Sequence, residues 1–243
     1  MKKFAILLLM SCFALTAAAQ TETAEAENVK NVRKKFFNIS YLSDKIKFSD
    51  GNIGLNNALD EVEGIANDKN IGIKNNWGIS LTRGRSYMLH KKPIARLISI
   101  GIDASFFDVS YSNYTASFND LGASDMGLEE LEDYDLAKKM DFHKIEYSFQ
   151  VGPSITITPG QKLTVAAYFR YAPTFSGLYV DETFAGNYAT MFVTGASVAY
   201  GKMGVGIEAR LGNCTYKTFS GDLDFSASKI KTSGFRAFLQ FRW

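Results

Sequence analysis

Cysteine is nearly missing from this chain. Of its two copies, Cys12 falls in the leader described below, and Cys214 is left alone. A lone thiol excludes an internal disulfide and a cysteine-based metal site. Cys214 reads as a small residue near a strand end. Histidine is equally scarce, with His90 and His143 the only imidazoles available for acid–base chemistry. Net charge is missing too. The chain has 27 Lys+Arg and 25 Asp+Glu, and Lys2 and Lys3 leave with the leader, so 25 of each sign remain. That balance implies no nucleic-acid partner. Nowhere beyond the leader is there a run of the ~20 apolar residues that a spanning helix needs. If the mature chain lies in a membrane, it lies there as a closed barrel, because only closure satisfies every backbone group in lipid.

What is present begins with an export signal. Met1-Lys2-Lys3 is basic, Phe4 to Leu15 is a short apolar core, and Ala17-Ala18-Ala19-Gln20 is a small-residue exit. Cleavage is expected after Ala19. Leu9-Met10-Ser11-Cys12 loosely fits a lipoprotein box, but Phe13-Ala14-Leu15 carries the apolar core past Cys12 and disfavours that reading. Residues 20–35 form a polar lead-in, and residues 36–243 read as one all-β domain.

The clearest strand is the last. From Phe235 to Trp243 every odd position is apolar, and three of the four even ones are Arg or Gln, Phe238 being the exception. A period of two belongs to a strand whose faces meet different surroundings. The same alternation places strands at about 36–43, 74–89, 94–111, 142–157, 162–177, 188–200, 203–217 and 230–243. Arg83 breaks the phase of the second, and Gly84 beside it suggests a bulge there. A phase slip is also expected at Phe106-Phe107. The connections run long, short, long, short, medium, short, medium. Thr158-Pro159-Gly160-Gln161 and Gly201-Lys202 are tight turns. Leu55, Leu59, Val62 and Ala66 have helical spacing inside the first long connection. Trp243, Phe241 and Tyr200 are expected in a lower aromatic girdle, and Trp77, Phe107 and Tyr171 in an upper one.

The Ala17-Ala18-Ala19-Gln20 exit, the strand alternation and the Phe241-Arg242-Trp243 end together resemble the small eight-stranded outer-membrane barrels of the OmpA/OmpX type. They also resemble the outer-membrane β-barrel domain family of Bacteroidota. The resemblance spans the mature chain and is one of pattern. It implies an eight-stranded antiparallel transmembrane barrel with short periplasmic turns and longer extracellular loops. It further implies residence in the outer membrane of a Gram-negative bacterium, contact with outer-membrane lipid and lipopolysaccharide, and insertion by the barrel-assembly machinery. It implies no chemistry.

On the polar phase stand Asp103, Lys144, Glu146, Arg170, Glu208, Arg210, Arg236 and Arg242. Charges inside a narrow barrel must pair. Glu208 is expected to pair with Arg236 on the neighbouring strand, with Arg210, Arg170 and Glu146 in the same network, as a structural plug. The acidic stretch Glu129, Glu130, Glu132, Asp133 and Asp135 lacks the ordered spacing of a calcium loop. His143 has Asp141 near it, but Ile145 stands where a His-x-Ser lipid deacylase would need serine. No catalytic residue, cofactor or metal set is therefore assigned. The expectation is a non-enzymatic barrel with a structural or surface-interaction role through the loops 44–73 and 112–141 and an unknown extracellular partner. The alternatives are a porin-like conduit for small solutes, a lipid-modifying enzyme, and a soluble lipocalin-like barrel, whose interior would be apolar.

Overall fold

The computed structural model describes residues 34–48, 71–90, 92–95, 97–117, 139–160, 162–180, 182–221 and 229–243. The leader, the 55–66 helical pattern and the 129–135 acidic stretch lie outside them. Nine strands form one antiparallel sheet: β1 (Lys35–Phe48), β2 (Ile71–Met88), β3 (Ile98–Ser117), β4 (Lys139–Ile157), β5 (Leu163–Val180), β6 (Thr183–Tyr200), β7 (Met203–Thr215), β8 (Lys217–Ser220) and β9 (Lys229–Arg242). β8 continues the line of β7 beside β6, so the sheet has eight staves. β9 pairs with β1, which closes it into a barrel.

The closure has a measurable stagger. A path across the sheet from Asn38 runs through Thr82, Asp108, Ser148, Thr174, Ala189, Cys214 and Ile230. It returns to β1 at Phe48, ten residues above its start. Eight staves with that shear tilt by roughly 35–45° and leave an interior that side chains can fill. Both ends of the described chain, Lys34 and Trp243, lie at one end of the barrel, here the lower, where Lys35 N donates to Trp243 O at 3.0 Å.

Alternation decides which side chains enter. Ile39, Ile79, Leu81, Phe149, Phe169, Ile207 and Leu239 are exposed on the outer wall, while Asn38, Ser40, Ser80, Thr82, Ser148 and Arg236 are buried inside. Apolar outside and polar inside is the arrangement of a barrel surrounded by lipid. Near the upper end the arrangement inverts. Ile46, Ile73, Ile230, Tyr114 and Phe142 point inward into an apolar cap, while Lys45, Lys47, Lys74, Lys229 and Lys231 face out. The strands have 13–20 residues in the eight staves, and crossing lipid takes only ~9–11. Over that excess the ordinary rule of burying apolar groups holds.

Several expectations are corrected. β1 extends past Ser43 because Lys45-Ile46-Lys47 still alternates with inverted polarity. β5 and β6 are joined through residues 181–182, with Glu182 at φ +66°, rather than by a medium connection. Gly177 and Gly186 lie within the hairpin ladder and pair with each other. The turn after β2 runs to Leu97, held by Ile94 N donating to Ile98 O at 2.7 Å. The bulge opposite Gly84 belongs to β3, where Phe106 and Phe107 stand against one residue, Phe149. Arg83 keeps its outward phase, and a Cβ on Gly84 would strike the inward Phe36 ring. Phe107 and Tyr171 stand near the middle of their strands. The upper aromatic belt comprises Trp77, Tyr111, Tyr147, Phe175 and Tyr188.

Candidate functional site: the charged lumen

All seven residues expected on the lumen, Asp103, Lys144, Glu146, Arg170, Glu208, Arg210 and Arg236, are buried, and Arg242 with them. Asp44 and Asp108 join them, so the buried charged groups among the described residues are five acids and five bases. With equal numbers of each sign, these groups carry no formal net charge that would favour one sign of ion.

Glu208 and Arg236 are in register on β7 and β9, and Arg236 Nη1 lies 3.2 Å from Glu208 Oε1. The same Nη1 reaches into the lumen to Asp108 on β3, at 2.9 Å from Oδ1. Asp108 also accepts from Thr82 Oγ1 at 2.9 Å and from Gln150 Nε2 at 2.7 Å. Gln150 in turn accepts from Arg170 Nη1 at 3.2 Å, and Arg170 Nη2 pairs with Asp103 Oδ2 at 2.7 Å. The Arg170 guanidinium stands 3.6 Å from the Tyr168 ring centroid and 5.1 Å from that of Phe36. Tyr168 donates to Glu208 Oε2 at 2.9 Å, which returns the circuit to Arg236. Gly195 makes that last bond possible, since a Cβ there would meet the Tyr168 hydroxyl at 2.5 Å.

A second group sits above. Arg210 Nη1 on β7 pairs with Glu146 Oε2 on β4 at 2.7 Å, and Lys144 Nζ holds Glu146 Oε1 at 2.9 Å. Lys144 also donates to Thr232 on β9 at 3.2 Å, and Arg210 Nη2 to Ser148 at 3.3 Å. The single network expected is therefore two hydrogen-bonded groups. Arg170 joins Arg236 and Glu208 through Gln150 and Asp108, whereas Arg210 and Glu146 join Lys144. Both groups tie staves that are not neighbours. Buried ion pairs of this kind need such surrounding hydrogen bonds to offset desolvation. The apolar cap packs above them.

Sequence reasoning missed Asp44, Asp108, Gln150 and Tyr168. Asp108 follows the Phe106-Phe107 bulge, and its even number is inward only once that slip is counted. Asp44 lies where strand polarity inverts, at the first residue of the expected 44–73 loop. Gln150 and Tyr168 carry no formal charge, though both fall on the inward phase.

Among the described residues neither histidine has a serine or carboxylate partner. His90 is a turn staple: its Nδ1–H donates to Lys92 O at 2.6 Å, and its Nε2 accepts from Ile100 N at 2.9 Å. His143 faces outward and is hydrogen-bonded through Nδ1 to the Tyr111 hydroxyl at 2.7 Å. Asp141 accepts from Thr115 Oγ1 at 2.7 Å instead. Cys214 is buried near the end of β7, with Sγ 3.7 Å from Tyr188 O. Among the described residues no three His, Cys, Asp or Glu side chains come together as a metal site.

No protein-family model and no curated protein sequence matches the chain. Solved structures similar to it include Neisserial surface protein A, at 10% identity and TM-score 0.44, covering 86% of this chain and 97% of that one. The outer-membrane protease OmpT from Escherichia coli matches at 10% identity and TM-score 0.45, covering 90% and 100%. Ail, the attachment invasion locus protein of Yersinia pestis, matches at 12% identity and TM-score 0.32, covering 86% and 99%. The architecture described above rests on the chain's own strand registers.

Proposed function

We propose that this protein is a closed, non-enzymatic barrel of the Gram-negative outer membrane. It acts as a structural scaffold that presents residues 49–70 and 118–138 for surface interaction, with the end holding both described termini in the periplasm. The observation that carries this reading is the cross-lumen pairing: Arg236–Asp108 and Arg210–Glu146 join opposite walls at 2.9 and 2.7 Å. A conduit needs an open bore, and these pairs occupy it. An enzyme needs a nucleophile or activated water beside its base, and the nearest polar partner of His143 is a phenol. Loops on a rigid scaffold are the usual place for binding.

Planar-bilayer recording of the reconstituted full chain tests the closed lumen. The expected trace shows no unitary steps. Regular steps abolished by a lumen substitution would replace the scaffold with the porin-like alternative. A His143→Ala strain is expected to keep its lipid A profile unchanged.

A further inference from the structure

Arg83 and Arg85 stand outward on β2, and both are exposed. The stagger of the barrel gives their depth. A row crossing the staves at right angles climbs as it goes round, gaining ten residues in eight steps. The five steps from Thr82 to Cys214 therefore climb about six residues. Ile207 lies seven residues below Cys214, and Arg83 one below Thr82. Arg83 is thus level with Ile207, in the middle of the apolar wall. Leu81 and Ile79 stand above the pair on β2, Tyr87 and Leu89 below it, and Phe107 opposite Arg83 on β3; all are exposed. A guanidinium facing hydrocarbon at that depth is costly, and in membrane proteins such a group has a partner.

The acids of the staves do not provide one. There are six: Asp44, Asp103, Asp108, Glu146 and Glu208 are buried in the lumen, and Asp141 stands at the upper end of β4. Every other segment of the chain joins the staves at an end. A carboxylate brought from such a segment to Arg83 would carry unpaired backbone into hydrocarbon, which membranes exclude. The same inventory excludes a second copy of this barrel, which would set Arg83 against arginine or against an aliphatic wall. Lipid phosphate lies at the lower edge, past Tyr87. Arg85 leans that way, with Cζ 5.3 Å from the Tyr87 ring centroid, and Lys35 stands opposite it. Arg83 lies two residues further in, toward the middle of the wall.

We propose that the β1–β2–β3 wall around Arg83 is a lateral docking surface for a different membrane protein, one that presents a carboxylate outward at the same depth. The proposal rests on the membrane placement given above. Carboxylate is the matching chemistry. The guanidinium fork takes it through two parallel hydrogen bonds, and it is more weakly hydrated than an ammonium, so it suits a contact away from water. The backbone at Arg83 is also pinned. Ser105 Oγ donates to Arg83 O at 3.0 Å, where the Phe106-Phe107 bulge of β3 sets the Phe107 ring opposite the arginine. Bulges re-aim side chains beside functional positions, and arginine with aromatic rings is a composition enriched at protein interfaces.

The test uses the full chain in the cells that encode it. A photoreactive benzoylphenylalanine replaces Leu81, beside the arginines, or Phe192, on β6 at the far wall. Unboiled gel mobility reports that each barrel is closed. The expected result is a protein adduct from position 81 that position 192 does not give, with Asp or Glu in the cross-linked partner peptide. Arg83→Gln with Arg85→Gln lowers its yield about tenfold or more, and Arg83→Lys with Arg85→Lys, which keeps both charges, retains it. Changing the partner's acid to Lys abolishes the adduct, and Arg83→Glu restores it. An adduct that survives the glutamine variant, or a partner peptide without an acid, overturns the charge pairing. Phospholipid adducts alone at both positions show that the arginines reach lipid only and overturn the docking surface, as does an adduct with a second copy of this chain. A chain released from the membrane fraction without detergent, with no lipid adduct at either position, defeats the membrane placement itself, and the surface with it.

Discussion

Arg236→Met will lower the unfolding free energy of the barrel by about 3–5 kcal/mol. Arg236 Nη1 serves two carboxylates at once, Asp108 at 2.9 Å and Glu208 at 3.2 Å. Methionine fills much of the same volume but leaves both acids inside without their cation. Thr82, Gln150 and Tyr168 still donate to them, and none of these carries a full charge. The penalty is therefore that of abandoned buried ions rather than of one lost attraction. The partner experiment separates the two. Adding Asp108→Asn and Glu208→Gln to Arg236→Met removes the stranded charge and is expected to recover most of the loss. Urea titration in lipid vesicles, read by the gel shift between closed and unfolded chain, measures both. A loss under about 1 kcal/mol for the single variant, the range of an exposed pair, would contradict the buried network.

A charge on the lipid face will cost according to its depth. Ile207 is 61% exposed on β7, and Met203, at the lower end of the same strand, is 60% exposed. By exposure alone the two positions are alike, and in a water-soluble barrel Arg at either would change stability by within about 0.5 kcal/mol. In a bilayer Ile207→Arg is expected to cost about 2–4 kcal/mol and Met203→Arg about 0–1 kcal/mol. The same urea titration reads the difference. Equal and small effects at both positions would show that the outer wall meets water. The comparison is sharp because one stave, one introduced residue and nearly one exposure are used, and depth is the main variable.

Much of the barrel is legible in the sequence because lipid imposes a period of two. β4, β5, β7 and β9 read directly from residues such as Ile145, Tyr147 and Phe149 against Lys144, Glu146 and Ser148. The Glu208–Arg236 contact is legible for the same reason: consecutive antiparallel staves are neighbours, which sets β7 beside β9, and both residues fall on the polar phase. What alternation gives is face, not depth and not the residue opposite. Arg210 meeting Glu146 across the lumen depends on shear and on side-chain reach, which the pattern does not carry. The strand ends were obscured by the polarity inversion. Lys45-Ile46-Lys47 still alternates, but with the apolar residue inside, so a search for apolar-out strands stops short of it. Asp44 was lost at that boundary. Asp108 was lost at the bulge, where one extra residue exchanges odd for even.

A transmembrane barrel of this form has acyl chains around the middle of its outer wall and water around its upper rim. Spin labels placed singly at Phe149, Ile207, Leu239 and Lys231, in a Cys214→Ser background reconstituted in phospholipid vesicles, test this directly by collision with oxygen and with a water-soluble nickel chelate. Labels at Phe149, Ile207 and Leu239 should collide with oxygen and be shielded from nickel, and the label at Lys231 should show the reverse. Nickel collisions at Ile207 and Leu239 as frequent as at Lys231 would contradict the assignment of that wall to lipid.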